Sequence, residues 1–212
     1  IDKIRSEEGE MLKAARRAGL FFTAHGPDLR VDAEGGMEKL AASVRYAERF
    51  QPRTITIHPI LAPRSNMPEK LALKIREIGE LASMAESYGS RISCENTSEE
   101  PADMKEVLAA HAGLVLTVDI GHSELLSQQN KSLGFINMFP DRIGHIHIHD
   151  NIGGDTYHED LHLPLGEGRI DFAPILRALR GLSQEITITF EMPRQKAYEG
   201  LLWLRERGLT VP

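Results

Sequence analysis

Short β-branched and aromatic runs alternate with longer amphipathic stretches along all 212 residues, and that rhythm constrains the fold more than any other feature. The runs at 20–24, 54–57, 91–94, 114–118, 143–148 and 186–190 are rich in Ile, Val, Thr and Phe, and most are too short for helices. They read as six strands. Helical patterns occupy 37–50, 68–88, 101–110, 172–179 and 197–207, and a charged helix over 1–18 is closed by Gly19. In the second of these, Leu71, Ile75, Ile78, Leu81, Ala82 and Ala85 recur at helical spacing. Such alternation predicts an α/β fold with a parallel sheet covered by helices.

An open doubly wound sheet and a closed (β/α) barrel both fit this rhythm. The first is expected to carry a phosphate-binding glycine fingerprint, and Gly166-Glu-Gly168 is too short and follows no strand. The barrel is favoured because polar residues crowd the C-terminal ends of successive strands, the rim on which barrels build their sites. The expectation is one TIM-barrel domain over 1–212, N-terminally incomplete, with two of the eight barrel strands lying upstream of Ile1.

Composition narrows the chemistry. Hydrophobic residues make up 41%, which excludes a disordered chain. One cysteine excludes a disulfide scaffold or Cys-based zinc finger, so a cytoplasmic location is expected. No apolar run approaches the ~20 residues of a membrane span, and no signal peptide opens the chain. A net charge of −6 argues against a surface built mainly to grip a nucleic-acid backbone. Nine histidines point instead to metal or acid–base chemistry.

The strand ends carry these groups in order: His25 before Gly-Pro, His58 before Pro, Glu95 before Asn-Thr, Asp119 with His122 across a Gly121 turn, His145-Ile-His147-Ile-His149-Asp150, and Glu191 before Met-Pro. A loop adds Asp160 and His162. Singly, each reads as a capping, core or solvated residue. Together they would repel and be costly to desolvate unless cations neutralise them. Imidazole and carboxylate without thiolate suit Zn²⁺, Mn²⁺ or Fe²⁺. By period-two geometry His145, His147 and His149 share one face, and at most two of them reach a common ion. Cys94 points away from Glu95 and reads as a buried apolar residue.

As a set these motifs resemble the xylose isomerase-like barrel superfamily, which unites sugar isomerases and epimerases with endonuclease IV. The resemblance covers the chain from His25 to Glu191. It implies a (β/α) barrel and a site for one to three divalent ions. The trinuclear zinc pattern of endonuclease IV falls on His25, His58, Glu95, Asp119, His122, His147, Asp160, His162 and Glu191. The single-metal pattern of the epimerases falls on Glu95, Asp119, His147 and Glu191.

Two functions follow from the resemblance. The first is a metal-dependent isomerase or epimerase of sugars or sugar phosphates, with Glu95 and Glu191 moving the proton beside a carbonyl. The acidic surface and the lack of mixed basic and aromatic runs favour it. The second is a zinc phosphodiesterase of the endonuclease IV type, with abasic DNA as its partner, favoured by the complete ligand set. Against it, Asp28 stands where the nuclease carries an aromatic, and His149 where it carries asparagine. A metal-storage role suits a convergent barrel rim least.

Overall fold

The computed structural model describes residues 2–27, 35–61 and 68–211. Six parallel strands, β1 (Ala24–His25), β2 (Thr54–Ile57), β3 (Arg91–Glu95), β4 (Val115–Asp119), β5 (Ile143–Ile148) and β6 (Thr187–Phe190), pair in strictly sequential order. With the helices they make a curled half-barrel. The helices are α1 (Asp2–Ala18), α2 (Gly36–Ala47), α3 (Pro68–Glu86), α4 (Met104–Ala110), α5 (Ser132–Met138), α6 (Phe172–Arg180) and α7 (Arg194–Glu206). No helix among the described residues is long and apolar enough to cross a membrane.

The period of two along each strand sorts the residues into two environments. Ile55, Ile57, Ile92, Leu116, Val118, Ile146 and Ile148 face outward into the core and are at most 2% exposed. They pack with Leu40 and Val44 of α2, Ile78 and Leu81 of α3, Val107 of α4, Phe135 of α5 and Leu176 of α6. Full burial of such side chains contributes about 1.5–3 kcal/mol each. The alternate positions face inward and are polar. Thr56 Oγ1 and Thr117 Oγ1 lie 3.0 Å apart, and Thr117 Oγ1 donates to Ser93 Oγ at 2.6 Å. This hydroxyl layer forms the floor on which the strand-end groups stand.

Two elements differ from the sequence reading. The apolar run at 20–24 enters the ladder only at its end, because Leu20 and Phe21 are 66% and 53% exposed. The guanidinium of Arg53 covers the Phe21 ring at 3.9 Å instead. The helix α5 has no counterpart in the reading: it is seven residues long and contains Gly134, too little for a periodic signal. Its buried Phe135 and Ile136 fix it against the core.

At the opposite end of the barrel, the Arg142 guanidinium donates to the carbonyls of Leu108, His111 and Leu114. The first two close the C-terminus of α4, which has no glycine cap, and the third ties it to the residue before β4. Cys94 sits in the apolar cluster, where burial pushes its thiol up to about 12. It is the inert core residue expected.

Candidate metal centre

The structure brings all nine sequence-derived residues into one network at the C-terminal ends of the strands. Glu95 is the hub. Its Oε2 accepts from His25 Nε2 and His58 Nε2, both at 3.0 Å, and its Oε1 from His147 Nδ1 at 3.0 Å. His122 Nδ1 lies 3.4 Å from the same Oε1. Burial would raise the Glu95 pKa, but hydrogen bonds from these four imidazoles hold it well below the usual carboxylate range. His147 answers in kind: burial opposes its charge, yet Asp119 and Glu95 push it up to about 10.

Asp119 is fully buried at the end of β4. Its Oδ1 accepts the His122 backbone N–H at 2.6 Å and lies 3.1 Å from His149 Nε2. Its Oδ2 has no hydrogen-bond partner. Glu191, at the end of β6, reaches His147 Nδ1 with Oε1 at 3.1 Å. Desolvation raises the Glu191 pKa, with Asp119 and Glu95 adding to the rise and His147 opposing it. Two glutamates of one site are thus pushed in opposite directions, the arrangement that separates acid from base roles.

A second cluster lies beside the first. Asp160 Oδ2 is 3.1 Å from His122 Nε2 and 2.9 Å from His162 Nε2. The Asp160 bond raises His162 to about 9 against the effect of burial, and that of His122 stands at about 12 because Asp119, Asp160 and Glu95 outweigh burial. His149 completes this group, its ring stacked on His162 at 3.9 Å between centroids.

Three sets have their ligand atoms within 4.8 Å of one another: Glu95, Asp119, His147 and Glu191; His25, Glu95 and His147; and His122, His149, Asp160 and His162. His58 joins the second through Glu95 Oε2. The residues fit divalent ions. Asp119 Oδ2 and His149 Nε2 are buried, aimed into the clusters and without hydrogen-bond partners. The donors are nitrogen and oxygen only, suited to borderline or hard cations.

The profile of the xylose isomerase-like TIM barrel family matches residues 2–207. The chain belongs to this family. An uncharacterized protein of Methanocaldococcus jannaschii is 30% identical over 186 residues, covering 81% of this chain and 71% of its own. The crystal structure of a D-tagatose 3-epimerase-like protein is similar at a TM-score of 0.79 and 24% identity, over 93% of this chain and 80% of that one. A Thermus thermophilus protein soaked with zinc chloride is similar at 0.73 and 20%, over 97% and 85%.

Within this xylose isomerase-like barrel, the structure assigns the fifth-strand histidines that the sequence left open, and gives Asn96 and Asp150 roles that the sequence reading missed. His145 lies below the metal-ligand layer, its Nδ1 donating to Thr187 Oγ1 at 2.6 Å and its Nε2 accepting from Thr189 Oγ1 at 3.1 Å. Burial holds it down at about 4, so it is the packing histidine of the three. His147 and His149 both reach the mouth but serve different clusters. Asn96 locks the β4 turn, accepting from Asp119 N and donating to Asp119 O and Ser123 Oγ. The buried Asp150 carboxylate gathers the loop, accepting the backbone N–H groups of Asn151, Gly166, Gly168 and Ile170 at 2.8–3.2 Å. A Cβ on Gly168 would overlap Asp150 Oδ1, and Gly166 has φ +89°. The Gly166-Glu-Gly168 stretch is therefore a carboxylate cradle and not a phosphate loop. Asp28, a point of contrast with the nuclease, lies outside the described residues.

Proposed function

We propose that this barrel is a divalent-metal-dependent isomerase or epimerase acting on a sugar or sugar phosphate. One observation carries the reading: Glu95, Asp119, His147 and Glu191 present ligand atoms within 4.8 Å of one another at the strand ends of a barrel in this family. The similarity to a D-tagatose 3-epimerase-like protein and to a zinc-soaked relative supports the substrate class and the metal.

A bound divalent ion would act as a Lewis acid toward a substrate carbonyl and acidify the adjacent C–H. Glu191, its pKa raised by desolvation, is the more basic of the two glutamates and so the one suited to take and return that proton. Glu95 faces it across His147, whose Nδ1 lies 3.0 Å from Glu95 and 3.1 Å from Glu191. The pair offers one carboxylate to each face of the reacting carbon, as inversion at a carbon beside a carbonyl requires. Asn96 and Ser123 hold Asp119 in place, limiting reorganisation as charge moves.

Elemental analysis of protein purified without chelator is expected to find more than one Zn, Mn or Fe per chain. In deuterated water, a panel of ketoses and their phosphates should show deuterium uptake beside the carbonyl. Glu95→Gln and Glu191→Gln should abolish it, and His25→Ala should matter much less. The second reading, an endonuclease IV-type phosphodiesterase, draws on His25 and His58 sharing Glu95 Oε2. Nicking of an abasic duplex, lost in both glutamate variants and without deuterium uptake from any sugar, would put it first.

A further inference from the structure

The inward columns that end in metal-centre residues begin at the other pole of the barrel. Counting back in twos, His58 leads to Thr56 and Thr54, Glu95 to Ser93 and Arg91, and Glu191 to Thr189 and Thr187. Barrel interiors are normally filled by Val, Ile and Leu. Here the lowest layer is polar. Thr54, Arg91 and Thr187, with Arg53, Gly144 and Glu185, line a cavity of about 50 Å³ at the N-terminal ends of the strands. It draws on β2, β3, β5 and β6, so it stands where the curl of the sheet brings its two halves together.

The lining has the chemistry of an anion host. Thr54 is 1% exposed, and its Oγ1 has no hydrogen-bond partner among the described residues. A buried hydroxyl left unpaired is costly, so one that persists points to a partner outside the chain. Arg91 has no carboxylate partner among the described residues. Arg53 gives one guanidinium nitrogen to Glu185 and lays its face on the Phe21 ring, which fixes the group and leaves further N–H donors free. Two arginines against one glutamate make the cavity net positive. Thr187 Oγ1 is already engaged with His145 and the Gly144 carbonyl and adds nothing. Guanidinium forks match the paired oxygens of a tetrahedral oxyanion. A volume of about 50 Å³ holds a few water-sized groups, the size of such an ion, and excludes a sugar.

We propose that this pole is a binding site for one small tetrahedral oxyanion, inorganic phosphate or sulfate, held by the guanidinium groups of Arg53 and Arg91 and by the Thr54 hydroxyl. The ion would tie the starts of β2 and β3 together on the side that faces β6, and so hold the curl of the sheet from below. None of these residues belongs to the metal centre, so the site stands whether or not the mouth works on sugars.

Amide 1H–15N spectra of the full chain, titrated with sodium phosphate at constant ionic strength, test it. The signals of Thr54, Arg91 and Glu185 should shift together and saturate. Shifts confined to Asp119, His122 and their neighbours at the mouth, or no saturation by roughly 10 mM, well above millimolar dissociation, overturn the proposal. Arg91 is exposed, so Arg91→Gln should fold, and it should bind phosphate roughly 10–100-fold more weakly through loss of charge-assisted hydrogen bonds. Unchanged affinity in that variant also overturns the site. Thr54→Val removes the unpaired hydroxyl and keeps the shape. Without phosphate it should be at least as stable as the wild type, yet its thermal midpoint should rise less as phosphate is added. The general stabilising effect of phosphate on folded chains acts on both proteins, so an equal rise in the two would strike Thr54 from the site. Glycerol phosphate should bind more weakly than phosphate, because the cavity has room for the ion alone. Tighter binding of the ester would overturn the free ion as the ligand.

Discussion

Two walls of the same mouth are built by different means. His25, Glu95, Asp119 and His147 lie in the ladder of β1, β3, β4 and β5, where pairing register fixes each residue, and His58 and Glu191 directly follow the last residues of β2 and β6. Asp160 and His162 come from a loop with no ladder to hold it. Their wall needs Asp150, whose carboxylate binds four backbone N–H groups while its own backbone exchanges two hydrogen bonds with Leu163 at 2.8 and 2.9 Å. His162 is held at φ +46°, a conformation that costs a non-glycine residue on the order of 1–3 kcal/mol. Strand-borne ligands are placed by the fold itself, and loop-borne ligands only by a dedicated buried polar network.

The largest expected effect breaks that network. Asp150→Ala leaves four backbone donors unpaired and should destabilise the protein by about 3 kcal/mol or more. Urea denaturation measures this, and metal analysis of the surviving folded protein should find the strand-borne ion retained and the loop-borne one lost. Equal loss of both would show the two walls to be one cooperative unit.

Gly121→Ala comes next. A Cβ there would collide with the His149 ring, an overpacking expected to cost about 1–3 kcal/mol. The clash falls on the His149 ring, whose Nε2 also lies 3.1 Å from Asp119 Oδ1, so the thermal midpoint should fall while proton exchange at Glu95 and Glu191 is reduced but persists. Loss of exchange comparable to that in Glu191→Gln would dissolve the distinction.

Protonation separates the walls more gently. In chelated protein His162 sits at about 9 and His147 at about 10, above the ~6.5 of an unfolded histidine. The sign follows: their contribution is full below about pH 6.5 and disappears as pH rises through 9 to 10. Metal-free protein should therefore lose stability between pH 6.5 and 9. Each of the two contributes at most ~1.4 kcal/mol per pH unit, and His162 the less, because it is 37% exposed to solvent. Ions compete with those protons, so zinc affinity should rise over the same range. Denaturation midpoints at pH 6 and 9, with chelator and with zinc, check both directions. A metal-free protein equally stable at the two values would contradict the imidazole–carboxylate pairing.

Sequence patterning carried the strand-borne wall well and the loop-borne one poorly. Glu95, Asp119 and His147 follow a run of alternating residues, so their facing can be counted along the chain by the period of two. His149 was visible as a departure from the nuclease pattern, but strand periodicity says only that it faces inward, not which cluster it meets. Its place depends on the Gly121 turn, 28 positions earlier, leaving room for the ring. The role of Asp150 was hidden for the same reason. Its partners, Gly166, Gly168 and Ile170, are 16–20 residues downstream with no periodic link. The helix α5 was missed because tertiary burial of Phe135 and Ile136, not local propensity, holds a segment of seven residues.

The smallest expected effect lies beneath the strand-borne wall and sharpens the contrast from the other side. Thr187 Oγ1 accepts from His145 Nδ1 at 2.6 Å, below the ring of His147, whose centroid is 5.0 Å from that of His145. Thr187→Val keeps the shape and removes two hydrogen bonds, that from His145 and a long one to the Gly144 carbonyl at 3.4 Å, a loss of about 1 kcal/mol. Neither residue bonds to the loop, so the metal content of the loop-borne cluster should be unchanged. Proton exchange should fall only modestly, because Thr189 still holds the other nitrogen of His145. Combined with Gly121→Ala, the two stability losses should add within about 0.5 kcal/mol, since the sites share no partner. A coupling well beyond that in the double variant would mean that strain passes between the walls through β5, the one strand that carries His145, His147 and the step to His149.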